Sequence, residues 1–113
     1  MKTKNLLTGI LVVAALLTFG SGANAADAKE NWEKQCAKCH GADGKGNTKM
    51  GRQSGVKDYT DPKVQEGLKD DKAIKTIKEG IVEKGKKKME PYGDKLSDDE
   101  IKALIAYMRA FKK

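Results

Sequence analysis

The sequence has few of the residues that usually stabilise small proteins. Its 113 residues include two cysteines, one histidine, two prolines and only 5% aromatic residues. A disulfide between Cys36 and Cys39 would close too short a loop to remove much entropy from the unfolded chain. Small domains with a thin apolar core usually depend on disulfides, a metal or another bound group. A buried cofactor would supply the missing core.

Acidic residues are absent from residues 1–25, which differ from the rest of the chain. Two lysines precede an uncharged apolar stretch at 6–19, and small residues ending in Ala25 follow. This pattern predicts a secretory signal peptide that is cleaved after Ala25 and leaves a mature domain of residues 26–113. The apolar stretch is shorter than the ~20 residues of a membrane-spanning helix. We therefore expect a periplasmic protein with no stable membrane insertion after cleavage.

The chain is basic, with 23 lysines and arginines against 16 acidic residues and a formal net charge of +7. It stays basic after removal of the predicted signal peptide, which contains only two of the lysines. Positive charge suits nucleic acid, an anionic membrane surface or an acidic protein partner. Because the protein is expected to be exported, nucleic acid is the least suitable of the three.

The mature chain predicts an all-α domain with few strands and no internal boundary. Helices are expected at 27–38, after Asp61-Pro62, from Asp70 and after Ser97. The last helix has the clearest start, because Ser97 and Glu100 match a capping box. The segment 41–60 contains several glycines and is predicted to be a loop. A loop of that length in a compact domain usually serves a function or contacts a bound group.

One short motif contains both cysteines and the only histidine. The spacing Cys36-x-x-Cys39-His40 is that of covalent haem c attachment, in which both thiols bond one edge of the ring and His40 ligates iron. A thioredoxin-like pair would need a βαβ context, which the sequence does not predict. Structural zinc would need about four ligands. A simple disulfide would leave His40 without a role.

The other face of the iron needs a second ligand if the protein is to carry electrons rather than bind small ligands, and a methionine sulfur also raises the reduction potential. Met108 lies on the apolar stripe of the last helix, which favours a packing role. Met50 is close enough along the chain to reach the far side of the haem. Met89 is favoured because its segment, 88–93, shows no apolar periodicity and is predicted to be irregular.

Across residues 27–113 the sequence resembles the class I family, the small soluble monohaem bacterial c-type cytochromes. The resemblance rests on the haem motif with the glycine-rich segment after it, on Met89-Glu-Pro-Tyr-Gly, and on the closing helix. It implies a cytochrome c-like all-α fold of three to five helices around one covalent haem. It also implies that the N- and C-terminal helices cross, with Ala28, Trp32 and Tyr107 at the crossing, and that Met89 is the second ligand.

Two features of the sequence depart from the family pattern. Members commonly have a proline-containing turn after the haem motif, whose carbonyl accepts a hydrogen bond from the histidine ring, whereas here the first proline is Pro62. Another acceptor for His40 is expected. The segment 49–65 also lacks the usual hydrophobic loop. The residues that hold the haem propionates therefore cannot be transferred, and Arg52, Lys57 and Tyr59 are only candidates.

The resemblance implies a non-enzymatic carrier of single electrons by outer-sphere transfer, with a haem gas-binding or sensor protein as the alternative. The expected partners are redox proteins, such as an oxidase, a reductase or a dehydrogenase. The densest positive run, at 84–88, directly precedes Met89. We expect this run to steer acidic partners to the haem edge, because complementary charge accelerates encounter. A solvated surface with no docking role is the alternative for these lysines.

Overall fold

The computed structural model describes residues 25–113, and the predicted signal peptide lies outside the described residues apart from Ala25. The elements are α1 (Ala25–Asn31), a π-helical segment (Trp32–Cys36), α2 (Ala37–His40), α3 (Lys49–Ser54), α4 (Pro62–Gly67), α5 (Asp70–Glu79), β1 (Ile81–Glu83), β2 (Lys86–Met89) and α6 (Asp98–Arg109). The first three are continuous and are called here the N-terminal helix. Counted in this way, the described part of the chain has five helices, and the predicted all-α class is confirmed.

The predicted helix starts are found where the sequence places their capping residues. Asp61 accepts a hydrogen bond from the backbone N–H of Lys63 at 2.9 Å, with proline at the first helical position. Ser97 and Glu100 form both bonds of the capping box that begins α6. These side chains satisfy N–H groups that have no partner inside a helix. The local signals therefore fix where α4 and α6 begin.

The prediction of a loop over 41–60 is wrong in part, because α3 lies inside this segment. Thr48 caps the helix by accepting a hydrogen bond from the N–H of Gly51 at 2.8 Å. Its hydroxyl also donates to the carbonyl of Cys39 at 2.7 Å. Glycine is a poor helix former, yet a Cβ on Gly51 would collide with the backbone at Cys39 and Gly46. Tertiary contact therefore outweighs helix propensity here.

A two-stranded antiparallel hairpin follows α5, and it corrects the prediction that 88–93 is irregular throughout. Lys84 and Gly85 form its turn with positive φ angles of 51° and 75°, as expected for a tight hairpin. The register pairs Ile81 with Met89 and is irregular next to Val82, where β2 has one extra residue. Met89 thus ends a strand, next to a β-bulge, and a bulge can redirect the side chains around it.

The core lies where the N-terminal helix, α5 and α6 meet. Its most deeply buried large side chains are Trp32, Ile101 and Leu104. The Trp32 ring lies 5.8 Å from the Tyr107 ring between centroids, and Ala28 is 2% exposed. The predicted packing between the first and last helices is therefore found. Within the described residues, no helix is long and apolar enough to cross a membrane.

Candidate functional site

A cavity of about 460 Å³ opens beside the haem motif and is bounded mostly by apolar surface. Its size falls within the ~300–1,000 Å³ of typical ligand sites. Cys36, Cys39 and His40 lie in its wall, together with residues from α3, α4, α5 and both strands. A second cavity of about 140 Å³ shares Cys36 and His40 with the first and extends towards α6. The elements of the domain therefore surround one cleft.

The two cysteines lie near the end of the N-terminal helix, both half-buried, with free thiols. Burial, followed by the neighbouring Cys39, raises the pKa of the Cys36 thiol to about 11. A thioredoxin-like nucleophile needs the opposite, a thiol pKa lowered towards neutral pH. Moreover, no cluster of three or more metal-ligating side chains occurs in residues 25–113. The environment thus favours neither the redox-pair nor the zinc alternative.

The His40 ring contacts two aromatic side chains. It stacks on Tyr59 with ring centroids 5.4 Å apart and lies 5.6 Å from the Trp32 ring. Burial lowers the pKa of His40, which keeps the imidazole neutral, the form that ligates a metal. The aromatic contacts leave this ring little freedom to rotate.

The acceptor expected for His40 is not found. Among the described residues, its Nδ1 is the buried side-chain nitrogen or oxygen that has no hydrogen-bond partner. The carbonyl of Gly41, the next residue, accepts a hydrogen bond of 2.9 Å from the indole of Trp32 instead. Buried polar atoms are almost always paired, so the expected hydrogen bond that would orient the His40 ring is not made by the described residues.

The three candidate methionines occupy different positions around the cleft. Met50 borders the larger cavity from α3 and is 40% exposed. Met108 borders only the smaller cavity and is 6% exposed in the core. Met89 borders both cavities, as His40 does, and is partly buried against the core. Of the three, only Met89 borders both cavities that His40 borders.

The chain on both sides of Met89 is tightly held. Gly80 has a φ of +72°, and a Cβ there would collide with the carbonyl of Met89 and the nitrogen of Pro91. After Met89, the N–H groups of Tyr92 and Gly93 donate to the last carbonyls of α5 at 2.8 and 3.1 Å. Such terminal carbonyls have no partner inside the helix. The Met89 segment is therefore docked on the end of α5.

Two supporting residues were missed by the sequence reasoning. Gln65 is 5% exposed, and its amide donates to the carbonyls of Tyr59 and Met108 at 2.7 and 2.8 Å. The Tyr92 hydroxyl donates to the carbonyl of Gln35 at 2.9 Å. Gln65 belongs to no recognisable motif, and although Tyr92 lies in Met89-Glu-Pro-Tyr-Gly, that motif does not show its partner, because each residue joins segments more than 40 positions apart. No local pattern could have revealed them.

The candidates for propionate contacts separate into two groups. Lys57 and Tyr59 line the larger cavity. Arg52 is not among its lining residues and instead donates to the side chain of Asn47 at 2.7 Å. The positions of Lys57 and Tyr59 therefore suit contacts with the haem propionates, whereas Arg52 is hydrogen-bonded to Asn47.

A mostly helical fold with a C-x-x-C-H segment in the wall of an apolar cleft defines a small class I-like c-type cytochrome. Residues 23–108 match the family described as cytochrome C oxidase, cbb3-type, subunit III. The chain belongs to this family of c-type cytochrome domains. Family membership implies covalently bound haem c with iron and a role in haem-based electron transfer.

Two similar solved structures agree with this family. The c-type cytochrome KustC0563 is 33% identical, with a TM-score of 0.64, and the match covers 76% of this chain and 98% of that one. A point mutant of KustC0563 is 34% identical, with a TM-score of 0.67 and coverages of 76% and 99%. No protein with a curated description matches at a significant level.

Proposed function

We propose that this protein carries single electrons between periplasmic redox proteins, with one haem c bonded to Cys36 and Cys39 and ligated by His40 and Met89. The observation that carries this proposal is that all four side chains border one apolar cleft. When bound, the haem supplies a one-electron couple of iron. If His40 and Met89 both ligate the iron, no substrate would reach the metal, so the role would be that of a carrier rather than an enzyme.

The protein residues contribute placement and environment. His40 is kept neutral by burial and packs against Trp32 and Tyr59. Met89 is held by the bulge before it and by the docking of the following segment on α5. A thioether ligand and a buried, apolar setting both favour the reduced iron and therefore a raised potential.

Ligation is tested by the absorption spectrum of the ferric protein. A methionine–iron bond gives a weak charge-transfer band at the red end of the spectrum. We expect Met89→Ala to abolish this band and Met50→Ala, a matched control in the same cleft, to retain it. Loss of the band in Met50→Ala alone would assign the ligand to Met50 and contradict the proposal.

Attachment and haem number are tested by mass spectrometry under denaturing conditions. Thioether bonds survive unfolding, so the intact protein should keep the mass of one haem. A Cys36→Ser, Cys39→Ser double variant should lose it on denaturation. Retention of the haem by the double variant would show that the cysteines do not attach it.

The hairpin is the proposed docking surface for acidic partners. Lys87 and Lys88 line the larger cavity, so these charges lie beside the cleft. Lys87 is also 3.3 Å from the carboxylate of Glu90, and both side chains are more than half exposed. Exposed ion pairs of this kind are weak, so a partner carboxylate could replace Glu90.

Docking is tested by the rate of electron transfer to an acidic redox protein. For the wild type, the rate constant should fall as ionic strength rises. At a given ionic strength, it should be lower in the double variant Lys84→Glu, Lys88→Glu than in the wild type. The matched control is Lys63→Glu, Lys102→Glu, which changes the net charge equally at two exposed positions, on α4 and α6, that line neither cavity. Equal rates and equal salt dependence in the two double variants would refute the docking surface.

Periplasmic localisation is proposed from the signal-peptide pattern of residues 1–25 alone. Expression in a bacterial host that matures c-type cytochromes should yield a periplasmic protein whose sequence begins at Ala26. A product that retains residues 1–25 in the membrane fraction would contradict this proposal.

A further inference from the structure

The side chain of Tyr92 joins the two sides of the cleft. Its hydroxyl donates to the carbonyl of Gln35, 57 positions away, in a partly buried hydrogen bond of 2.9 Å. Gln35 lies directly before Cys36 in the π-helical segment, and π-helical turns are frequent at functional sites. Tyr92 lies three residues after Met89, and both residues border the larger cavity.

This bond differs from the other contacts that hold the Met89 segment. The backbone bonds of Tyr92 and Gly93 attach the segment to α5, and none of them reaches the N-terminal helix. The Tyr92 hydroxyl does reach it, next to a cysteine of the haem motif. Burial raises the pKa of Tyr92, so the hydroxyl keeps its proton and donates at neutral pH.

We propose that Tyr92 is a positioning residue that clamps the Met89 segment to the helix bearing Cys36 and so resists displacement of Met89 by small ligands. The proposal rests on the function proposed above, in which Met89 ligates the iron. Without the hydroxyl, the segment would remain docked on α5 but could move away from the N-terminal helix at lower cost. An added ligand would then compete with Met89 more easily.

Imidazole titration of the ferric holoprotein, followed by absorption, tests the clamp. Tyr92→Phe keeps the ring and removes only the hydroxyl. Loss of one neutral hydrogen bond predicts imidazole binding that is about 2- to 12-fold tighter than in wild type. Tyr107→Phe is the matched control, because no hydrogen bond of the Tyr107 hydroxyl is found within the described residues, and it should bind imidazole like wild type.

A second control separates local clamping from general stability. Ser97→Ala removes the cap of α6, away from both cavities, and should lower the melting temperature. If the affinity for imidazole depends on the Tyr92 hydrogen bond and not on overall stability, Ser97→Ala should bind imidazole like wild type. If Ser97→Ala strengthens imidazole binding as much as Tyr92→Phe does, the effect is global and the clamp is refuted.

Met89→Ala separates failure of the clamp from failure of the proposed ligation. It should bind imidazole most tightly, because no methionine has to be displaced. Wild-type affinity equal to that of Met89→Ala would overturn the ligation by Met89, and the clamp with it. Tight binding by Met89→Ala with Tyr92→Phe equal to wild type would overturn the clamp alone.

Discussion

Replacement of Gln65 by alanine should destabilise the protein far more than a usual change of one polar residue. The Gln65 amide donates to the carbonyls of Tyr59 and Met108. The Met108 carbonyl keeps a partner in the N–H of Phe111 at 3.1 Å. No other hydrogen bond to the Tyr59 carbonyl is found among the described residues, so that carbonyl would be left unpaired.

The predicted decrease in stability has two parts: the Tyr59 carbonyl is left unpaired, and the hydrogen bond to the Met108 carbonyl is lost. A buried group left unpaired costs about 1–3 kcal/mol, with the lower end expected for the partly buried Tyr59 carbonyl, and a lost neutral hydrogen bond costs about 0.5–1.5 kcal/mol. Together they predict a decrease in unfolding free energy of about 2 kcal/mol. For a domain of this size the melting temperature would fall by roughly 8–16 °C. Arg109 would keep its bond of 2.8 Å to the backbone carbonyl of Gln65 and lose only the long one of 3.4 Å to the amide oxygen.

Thermal and urea unfolding of the holoprotein, followed by circular dichroism, measure this change. Gln53→Ala is the matched control, because Gln53 is an exposed residue of α3 and its loss should change stability by less than about 0.5 kcal/mol. Equal melting temperatures for Gln65→Ala and Gln53→Ala would show that the buried amide does not stabilise the fold.

Two further predictions concern a glycine and a pH-dependent cap. Gly80→Ala should destabilise the protein more than Gly85→Ala, because both have a φ near +70° but only a Cβ at Gly80 meets backbone atoms. The backbone of Gly80, with a ψ of −170°, is also in a region that essentially only glycine adopts. Equal unfolding free energies of the two variants would refute the close approach. Hydrogen bonds from backbone and Asn31 hold the pKa of Glu100 below its usual value. The stabilisation that these bonds to the ionised Glu100 carboxylate provide is therefore present at neutral pH, and it is lost as the pH falls through the lowered pKa. Glu100→Gln should melt below wild type at pH 7, with the difference vanishing in acid; a constant difference would contradict this.

Local signals in the sequence predicted a large part of the fold. The caps at Asp61 and Ser97 and the apolar stripe of α6 depend only on neighbours along the chain. Helical spacing placed Ala28 and Trp32 on one face of the first helix, and both are buried. The haem motif consists of three residues within five positions, so it could be recognised from the sequence alone.

The rest depends on contacts between distant segments. Helix α3 contains Gly51, and because glycine is a poor helix former the sequence does not predict this helix. The reason for the glycine is its close contact with the backbone of Cys39. The hairpin has four lysines and few β-branched residues, so its strands follow from the turn at Lys84 and from docking on α5. Gln65 and Tyr92 act through partners far along the chain, and no sequence pattern identifies such pairs.

The central claim, that Met89 closes the iron to outside ligands, is tested most directly by carbon monoxide. The reduced wild-type protein should keep its absorption spectrum when carbon monoxide is added. Reduced Met89→Ala should change its spectrum under the same conditions, because the position opposite His40 would be open. Ready binding of carbon monoxide by wild type would contradict the carrier function and favour a gas-binding or sensor protein.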